Sequence, residues 1–113
     1  MITFNNTKTI RDLVINAGRE YENKVFVRYE RDDAIYEKGY GTFTVDSLAI
    51  AAYIESQNEK LGHSTHAAIL GKCSYEFLTV LMGVPCAGGI SIPLDVQVIN
   101  ETLVENLKKA DVD

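Results

Sequence analysis

From Ala67 to Ala110 the chain runs through a short apolar stretch, an amphipathic stretch, a second apolar stretch and a second amphipathic one. That order constrains the fold more than any other feature. Ala67-Ala68-Ile69-Leu70-Gly71 shows little polar alternation, as in a strand buried on both faces. Lys72-Cys73-Ser74 reads as a loop, with Ser74 placed to cap a helix from Tyr75 through Leu81. Phe77, Leu78, Leu81 and Met82 fall on one side of that helix. Pro85 is expected to end or kink it, because proline lacks a backbone donor and crowds the preceding turn. Ile90-Ser91-Ile92-Pro93 gives a second strand. Asn100 is positioned to cap a last helix, with Leu103, Val104, Leu107 and Ala110 aligned, Glu101 near its start and Lys108-Lys109 near its end. Strand-helix-strand-helix is the grammar of a parallel sheet with right-handed crossovers.

The preceding residues use a different grammar. Ile10, Leu13, Val14 and Ala17 have helical spacing, and Thr9 with Asp12 forms a capping-box pattern, while Gly18 weakens the helix end. Lys24 to Tyr29 is β-branched and aromatic, which predicts a strand. Arg31-Asp32-Asp33 and Glu37-Lys38-Gly39 read as turns, with Ala34-Ile35-Tyr36 and Tyr40-Gly41-Thr42-Phe43 as hairpin partner. Thr44 precedes a long helix whose apolar arc is broad enough to be covered on more than one side: Val45, Leu48, Ala49 and Ala52, widened by Ile50, Ile54 and Leu61. Gly62 is its expected stop.

The 113 residues therefore read as one α/β domain, 1–113. Residues 1–62 supply a helix, a β-hairpin and a long helix, and residues 63–113 supply the βαβα unit. The fold class is a mostly parallel sheet with helices on both faces, preceded by an N-terminal helix and a hairpin. The helix that ends the unit has no full strand after it, so the chain reads as the first part of something larger.

Charge narrows the function. Sixteen acids against 11 bases leave a net charge of −5 and no basic run beyond Lys108-Lys109, which argues against nucleic-acid or anionic-membrane partners. No membrane-spanning segment is expected, since the apolar stretch Phe77–Ile92 is short and broken by glycines and proline. The N-terminus lacks the pattern of a signal peptide. Cys73 and Cys86 form no CxxC pair, and two unpaired thiols suit a reducing compartment, so the expected location is cytoplasmic.

Several short features invite chemistry, and each has a structural alternative. Gly88-Gly89 follows a helix and precedes a strand, the reverse of a phosphate-cradling loop, so it reads as a helix-ending turn. Gly39-Tyr40-Gly41 is spaced like part of a dinucleotide fingerprint but reads as a hairpin turn. His63 and His66 sit in a Gly/Ser/Thr-flanked turn and read as solvated residues rather than metal ligands. Cys73 lies in the loop after the first parallel strand, where open α/β sheets bind ligands, but no histidine is placed to be its base. Asp46, Glu55 and Glu59 read as a solvated helix face, and Tyr21, Tyr29, Tyr36 and Tyr40 as packing groups. No catalytic, cofactor-binding or metal residue is assigned.

One order of signals is distinctive. It comprises Thr9-Ile10-Arg11-Asp12-Leu13, the Val25–Tyr29 strand, Phe43-Thr44 leading into the helix that closes at Leu61-Gly62, and Ala67–Gly71. Ser74-Tyr75-Glu76-Phe77 and Gly88-Gly89-Ile90-Ser91-Ile92-Pro93-Leu94-Asp95 complete it. Together they resemble the N-terminal part of the AMP-forming acyl-CoA synthetases of the adenylate-forming superfamily, in the long-chain fatty-acid–CoA ligase type. The chain departs from that pattern at Val45, where an aromatic is usual, around Cys73-Ser74, where Asn is common, at Phe77 in place of Trp, and at Pro85 within the helix.

The resemblance implies an intact enzyme that adenylates a fatty or other carboxylic acid with ATP and Mg²⁺ and passes the acyl group to CoA. It also implies that the phosphate loop, the ribose-binding Asp and the catalytic Lys lie outside these residues. The expected partner is then the remainder of the synthetase chain, no cofactor is held here, and the piece alone is expected to be inactive. The alternative is a free-standing α/β binding or assembly module, and an open sheet edge admits a homodimer under either reading.

Overall fold

A computed structural model describes residues 1–97 and 101–113. Its first helix, α1 (Ile10–Glu20), is fixed by the expected capping box: Thr9 Oγ1 accepts from the Asp12 amide and the Asp12 carboxylate accepts from the Thr9 amide. Gly18 is not at a frayed end but buried inside α1, where a methyl would sit 2.8 Å from Thr44 Cβ.

Strands β1 (Val25–Arg31) and β2 (Ala34–Gly39) pair antiparallel, joined by Asp32 and Asp33. Both turn residues have positive φ, 52° and 60°, the left-handed pair that matches the twist of a two-residue hairpin. A register shift between Val25 and Val27 accommodates Phe26 as an extra residue, and its ring stacks 4.3 Å from that of Phe43.

The long helix α2 (Tyr40–Leu61) begins earlier than expected. Tyr40–Phe43 form its first turn rather than a strand, and Glu37-Lys38-Gly39 belong to β2 rather than to a turn. Aromatic β-propensity loses here to packing: Tyr40 contacts the rings of Tyr21 and Phe26, and Phe43 is buried in the core with Val14, Ala51, Tyr75 and Cys86. Thr44 lies one turn inside the helix, its hydroxyl within 2.8 Å of the Val14 carbonyl and 3.0 Å of its own Tyr40 carbonyl. Gly62 ends α2 in the left-handed conformation, φ 75°, as expected. The outer face of α2 keeps Val45 and Tyr53 exposed.

Strand β3 (His66–Leu70) and strand β4 (Ile90–Leu94) pair in parallel, connected by α3 (Tyr75–Cys86). Ser74 caps α3 through the Phe77 amide. Among the described residues the parallel sheet has these two strands, and the hairpin forms a sheet of its own. Pro85 is accommodated inside α3, which extends past the expected Leu81 and ends one residue after the proline, at Cys86. The carbonyl that a residue-85 amide would have reached is that of Leu81, and it accepts instead from Ser91 Oγ of β4 at 2.9 Å. Helices α2 and α3 cross closely at Gly83, where a methyl would lie 2.8 Å from the Ser47 carbonyl and 2.7 Å from Ile50 Cβ. The last helix, α4 (Glu101–Lys109), carries Glu101 in its first turn and Lys108 and Lys109 in its last. The expected Asn100 cap lies outside the described residues. Among the described residues no helix is long and apolar enough to cross a membrane.

Candidate functional site

In an open α/β unit the loop at the carboxyl end of a parallel strand is the first place to look for chemistry. Here that loop is Gly71–Ser74, between β3 and α3. Ser74, which closes this loop, and Tyr75 and Glu76, which open α3, are engaged in structure. Ser74 Oγ accepts from the Phe77 amide, and the Tyr75 phenol donates to the Asp46 carboxylate at 2.6 Å. Asp46 is therefore an anchor between α2 and α3 rather than part of a freely solvated face. Burial, followed by the bond to Asp46, raises the Tyr75 phenol above the ordinary tyrosine range.

Glu76, one residue into α3, accepts both terminal nitrogens of Arg31 at 3.0 and 2.9 Å. This paired contact ties the hairpin to the helix start and pulls the Glu76 carboxyl down to about 2, with the Arg31 guanidinium held above its usual range. Beside it a cleft of about 300 Å³ runs along Ile69, Leu70, Lys72, Ser74, Glu76 and Phe77.

Cys73 is exposed and Cys86 is buried, and both are free thiols. Cys73 borders a small cavity of about 180 Å³ with Val27, Tyr29 and Leu78. His63 and His66 lie before and at the start of β3, at the opposite end of the strand from this cysteine. No nucleophile–base pair forms here. Burial pushes the Cys86 thiol up, away from thiolate character.

The two histidines are not simply solvated turn residues. His66 opens β3, and its Nδ1 lies 3.3 Å from the Ala110 carbonyl. His63 Nε2 is 3.4 Å from Asp113 Oδ1, and the same carboxylate accepts from the His66 amide at 2.7 Å. These contacts fasten the end of α4 to the start of β3. Among the described residues no His, Cys, Asp and Glu cluster has the arrangement of a metal site.

Gly88-Gly89 forms the turn that follows α3. Gly88 has φ 77°, and its amide donates to the Pro85 carbonyl, while the Gly89 amide donates to the Val84 carbonyl. Both N–H groups are spent on closing the helix. Gly39-Tyr40-Gly41 instead joins β2 to α2, and its Tyr40 and Gly41 amides donate to the Lys24 and Glu22 carbonyls. An open cleft of about 630 Å³ lies beside that junction between α1 and α2, bordered by Ile15, Arg19, Asn23, Thr42 and Leu48. Of the tyrosines, Tyr29 stacks on Tyr36 at 5.6 Å and Tyr21 tilts against Tyr40 at 5.6 Å, so all four pack. Glu55 is 3.6 Å from Arg11.

Asn58 carries no motif, yet it joins three elements. Its Oδ1 accepts from the amide and hydroxyl of Thr65 at 2.7 Å each, and its Nδ2 donates to the Ala87 carbonyl at 3.1 Å. Position near a helix end was its only sequence signal.

No family model and no curated protein matches the chain. Its fold is similar to that of the Klebsiella oxytoca NpsA N-terminal subdomain, with TM-score 0.78 and 18% identity, covering 94% of this chain and 26% of that one. K. oxytoca NpsA in complex with 3-hydroxyanthranilyl-AMSN matches with TM-score 0.78 and 18% identity, over 94% of this chain and 20% of that one. The fatty acid AMP ligase from Legionella pneumophila gives TM-score 0.71 and 14% identity, over 99% of this chain and 20% of that one. The α/β fold with its leading helix and hairpin is thus that of these chains' matching portion. The chain spans between a fifth and about a quarter of their length.

Proposed function

We propose that this chain is the N-terminal subdomain of an adenylate-forming ligase of the acyl-CoA synthetase type. The observation that carries the reading is the near-complete coverage of the chain by small portions of NpsA and of a fatty acid AMP ligase. The motif order from Thr9 to Asp95 supports the same reading independently. The intact enzyme adenylates a fatty or other carboxylic acid using ATP and Mg²⁺ and then transfers the acyl group to CoA. This portion acts as frame, and the groups that neutralise charge during adenylate formation belong to the remainder of the enzyme, its principal partner. Ser74 at the end of the β3–α3 loop and Tyr75 and Glu76 at the start of α3 support a framing role, because all three are committed to internal bonds. By itself the chain has no ligase activity, and it works in the cytoplasm.

The test is acid-dependent ATP–pyrophosphate exchange, run on residues 1–113 and on the product of the whole reading frame that contains them. Exchange is expected only from the longer product. A reading frame that stops at the Asp113 codon removes this proposal, and so does exchange by residues 1–113 alone.

A further inference from the structure

The β1–β2 hairpin is braced within itself more firmly than it is fastened to the rest of the chain. Residues Val27–Arg31 pair in register with Ala34–Lys38, and the Asp32-Asp33 turn closes the far end. Across the strands Arg28 Nε donates to Glu37 Oε1 at 2.8 Å, and Tyr29 stacks on Tyr36 at 5.6 Å. Among the described residues no third strand joins this sheet. Its root is held by burial. Phe26, the extra residue, interrupts the ladder between Val25 and Val27, and its ring lies 4.3 Å from that of Phe43 and 5.1 Å from that of Tyr40. Opposite Val25, Gly39 leads directly into α2.

Beyond the root the fastening is lighter. Val27 and Tyr29 rest half-buried on the core, whereas Arg28 and every residue from Glu30 to Glu37 are exposed. The Tyr29 ring lies parallel to that of Tyr75 at 6.4 Å, and Lys38 Nζ sits 5.3 Å from the Tyr75 ring. Arg31 donates to both oxygens of Glu76 at 3.0 and 2.9 Å, and both side chains of this pair are open to water and salt. Beneath this part of the hairpin, against α3, is the cavity of about 180 Å³ bordered by Val27, Tyr29, Cys73 and Leu78.

We propose that the hairpin is a stiff strap that turns about its root at Phe26 and Gly39, latched by the Arg31–Glu76 pair and closing the cavity beside Leu78. This inference does not depend on the adenylate-forming reading. The ladder break at Phe26 lets the arm turn without parting any pair from Val27 onward, and the internal braces move it as one piece. Turning outward separates Val27 and Tyr29 from Leu78 and Tyr75, which opens the cavity to an apolar group. Glu76 stays in the first turn of α3, where its charge suits the helix start, while Arg31 leaves with the arm. An exposed ion pair is a weak fastening, so the latch yields to salt that screens it.

The test is a distance between two spin labels, one at the exposed hairpin tip (Ile35→Cys) and one on α2 (Glu59→Cys), with exposed native thiols such as Cys73 replaced by serine. Pulsed electron resonance reads it in the 113-residue chain and in the product of the whole reading frame, and the same outcome is expected in both. One dominant distance and a minor longer one are expected, with the longer population rising about three- to fivefold in Glu76→Gln. Arg31→Glu with Glu76→Arg should return that population to the parent level. Raising salt from about 0.05 M to about 1 M should increase it in the parent and leave Glu76→Gln unchanged. A distance distribution in Glu76→Gln identical to the parent's overturns the proposal, and so does an equal salt response in the two proteins. Broad distances together with lost strand signal in circular dichroism mean that the hairpin unfolds instead of turning, which also overturns it.

Discussion

The hydroxyl of Ser91 in β4 donates to the Leu81 carbonyl of α3 at 2.9 Å, and Leu81 is the residue whose helical partner would have been the missing amide of Pro85. The bond lets a proline sit one residue from the end of a helix without leaving a half-buried acceptor unpaired. It also fixes β4 against α3, so that the turn at Ala87–Gly89 is set by a side chain of the strand that follows it.

Ser91→Ala is therefore expected to destabilise the protein by about 1–2 kcal/mol, the cost of an orphaned acceptor. In a Pro85→Ala background the same change should cost less, because the introduced alanine supplies the amide that Leu81 lacks. A double-mutant cycle by urea unfolding measures the coupling. Equal costs of Ser91→Ala in the two backgrounds would show that the hydroxyl does not stand in for the proline's amide.

Glu76 and Asp12 set the acid side of the stability profile. Arg31 holds the Glu76 carboxyl near 2, against an ordinary 4.5, and the Lys8 and Thr9 amides lower Asp12. Both groups are depressed in the folded chain, so their stabilisation is complete above the ordinary carboxylate range and is lost as pH falls through 4.5 toward 2. The thermal midpoint should therefore decline across that window. Glu76→Gln should flatten the decline while leaving the Asp12 share in place. Melting curves followed by circular dichroism at a series of pH values read this directly. An unchanged acid slope in the Glu76→Gln protein would contradict the assignment.

The features legible in the sequence are those whose partners lie within a few residues. Thr9 with Asp12, Ser74 with Phe77, and Gly62 after α2 all act within one helical turn, so residue type and spacing were sufficient. The parallel pairing of β3 with β4 followed from the alternation of strand and helix. Tyr40–Phe43 were misleading because their strand-like composition serves a buried aromatic cluster with Tyr21 and Phe26, which only the tertiary fold assembles. Asp46 resembled a surface acid because its partner, Tyr75, is 29 residues away. For the candidate site, position was legible and occupation was not. The loop after β3 was found from topology, but the pairing of Glu76 with Arg31 spans 45 residues and leaves no local trace.

Asn58 is the strongest case of such a hidden contact. Near the end of α2 it accepts from the Thr65 amide and hydroxyl at the entry to β3, and it donates to the Ala87 carbonyl at the exit of α3. Asn58→Ala should cost about 2–4 kcal/mol, because a buried threonine loses its acceptor and a carbonyl loses its donor together. Asn58→Asp separates the two halves of the contact. The carboxylate can still accept from Thr65, but at neutral pH it faces the Ala87 carbonyl, and two acceptors repel. Protonation gives the side chain a donor again, so the folded chain favours the protonated acid and raises its pKa. The Asn58→Asp protein should therefore recover stability relative to the parent as pH falls through the carboxylate range, while Asn58→Ala should show no such recovery. Urea unfolding of the three proteins at about pH 7 and about pH 4 separates these behaviours. Equal losses in the two variants at both values would mean that Asn58 acts through bulk rather than through its amide.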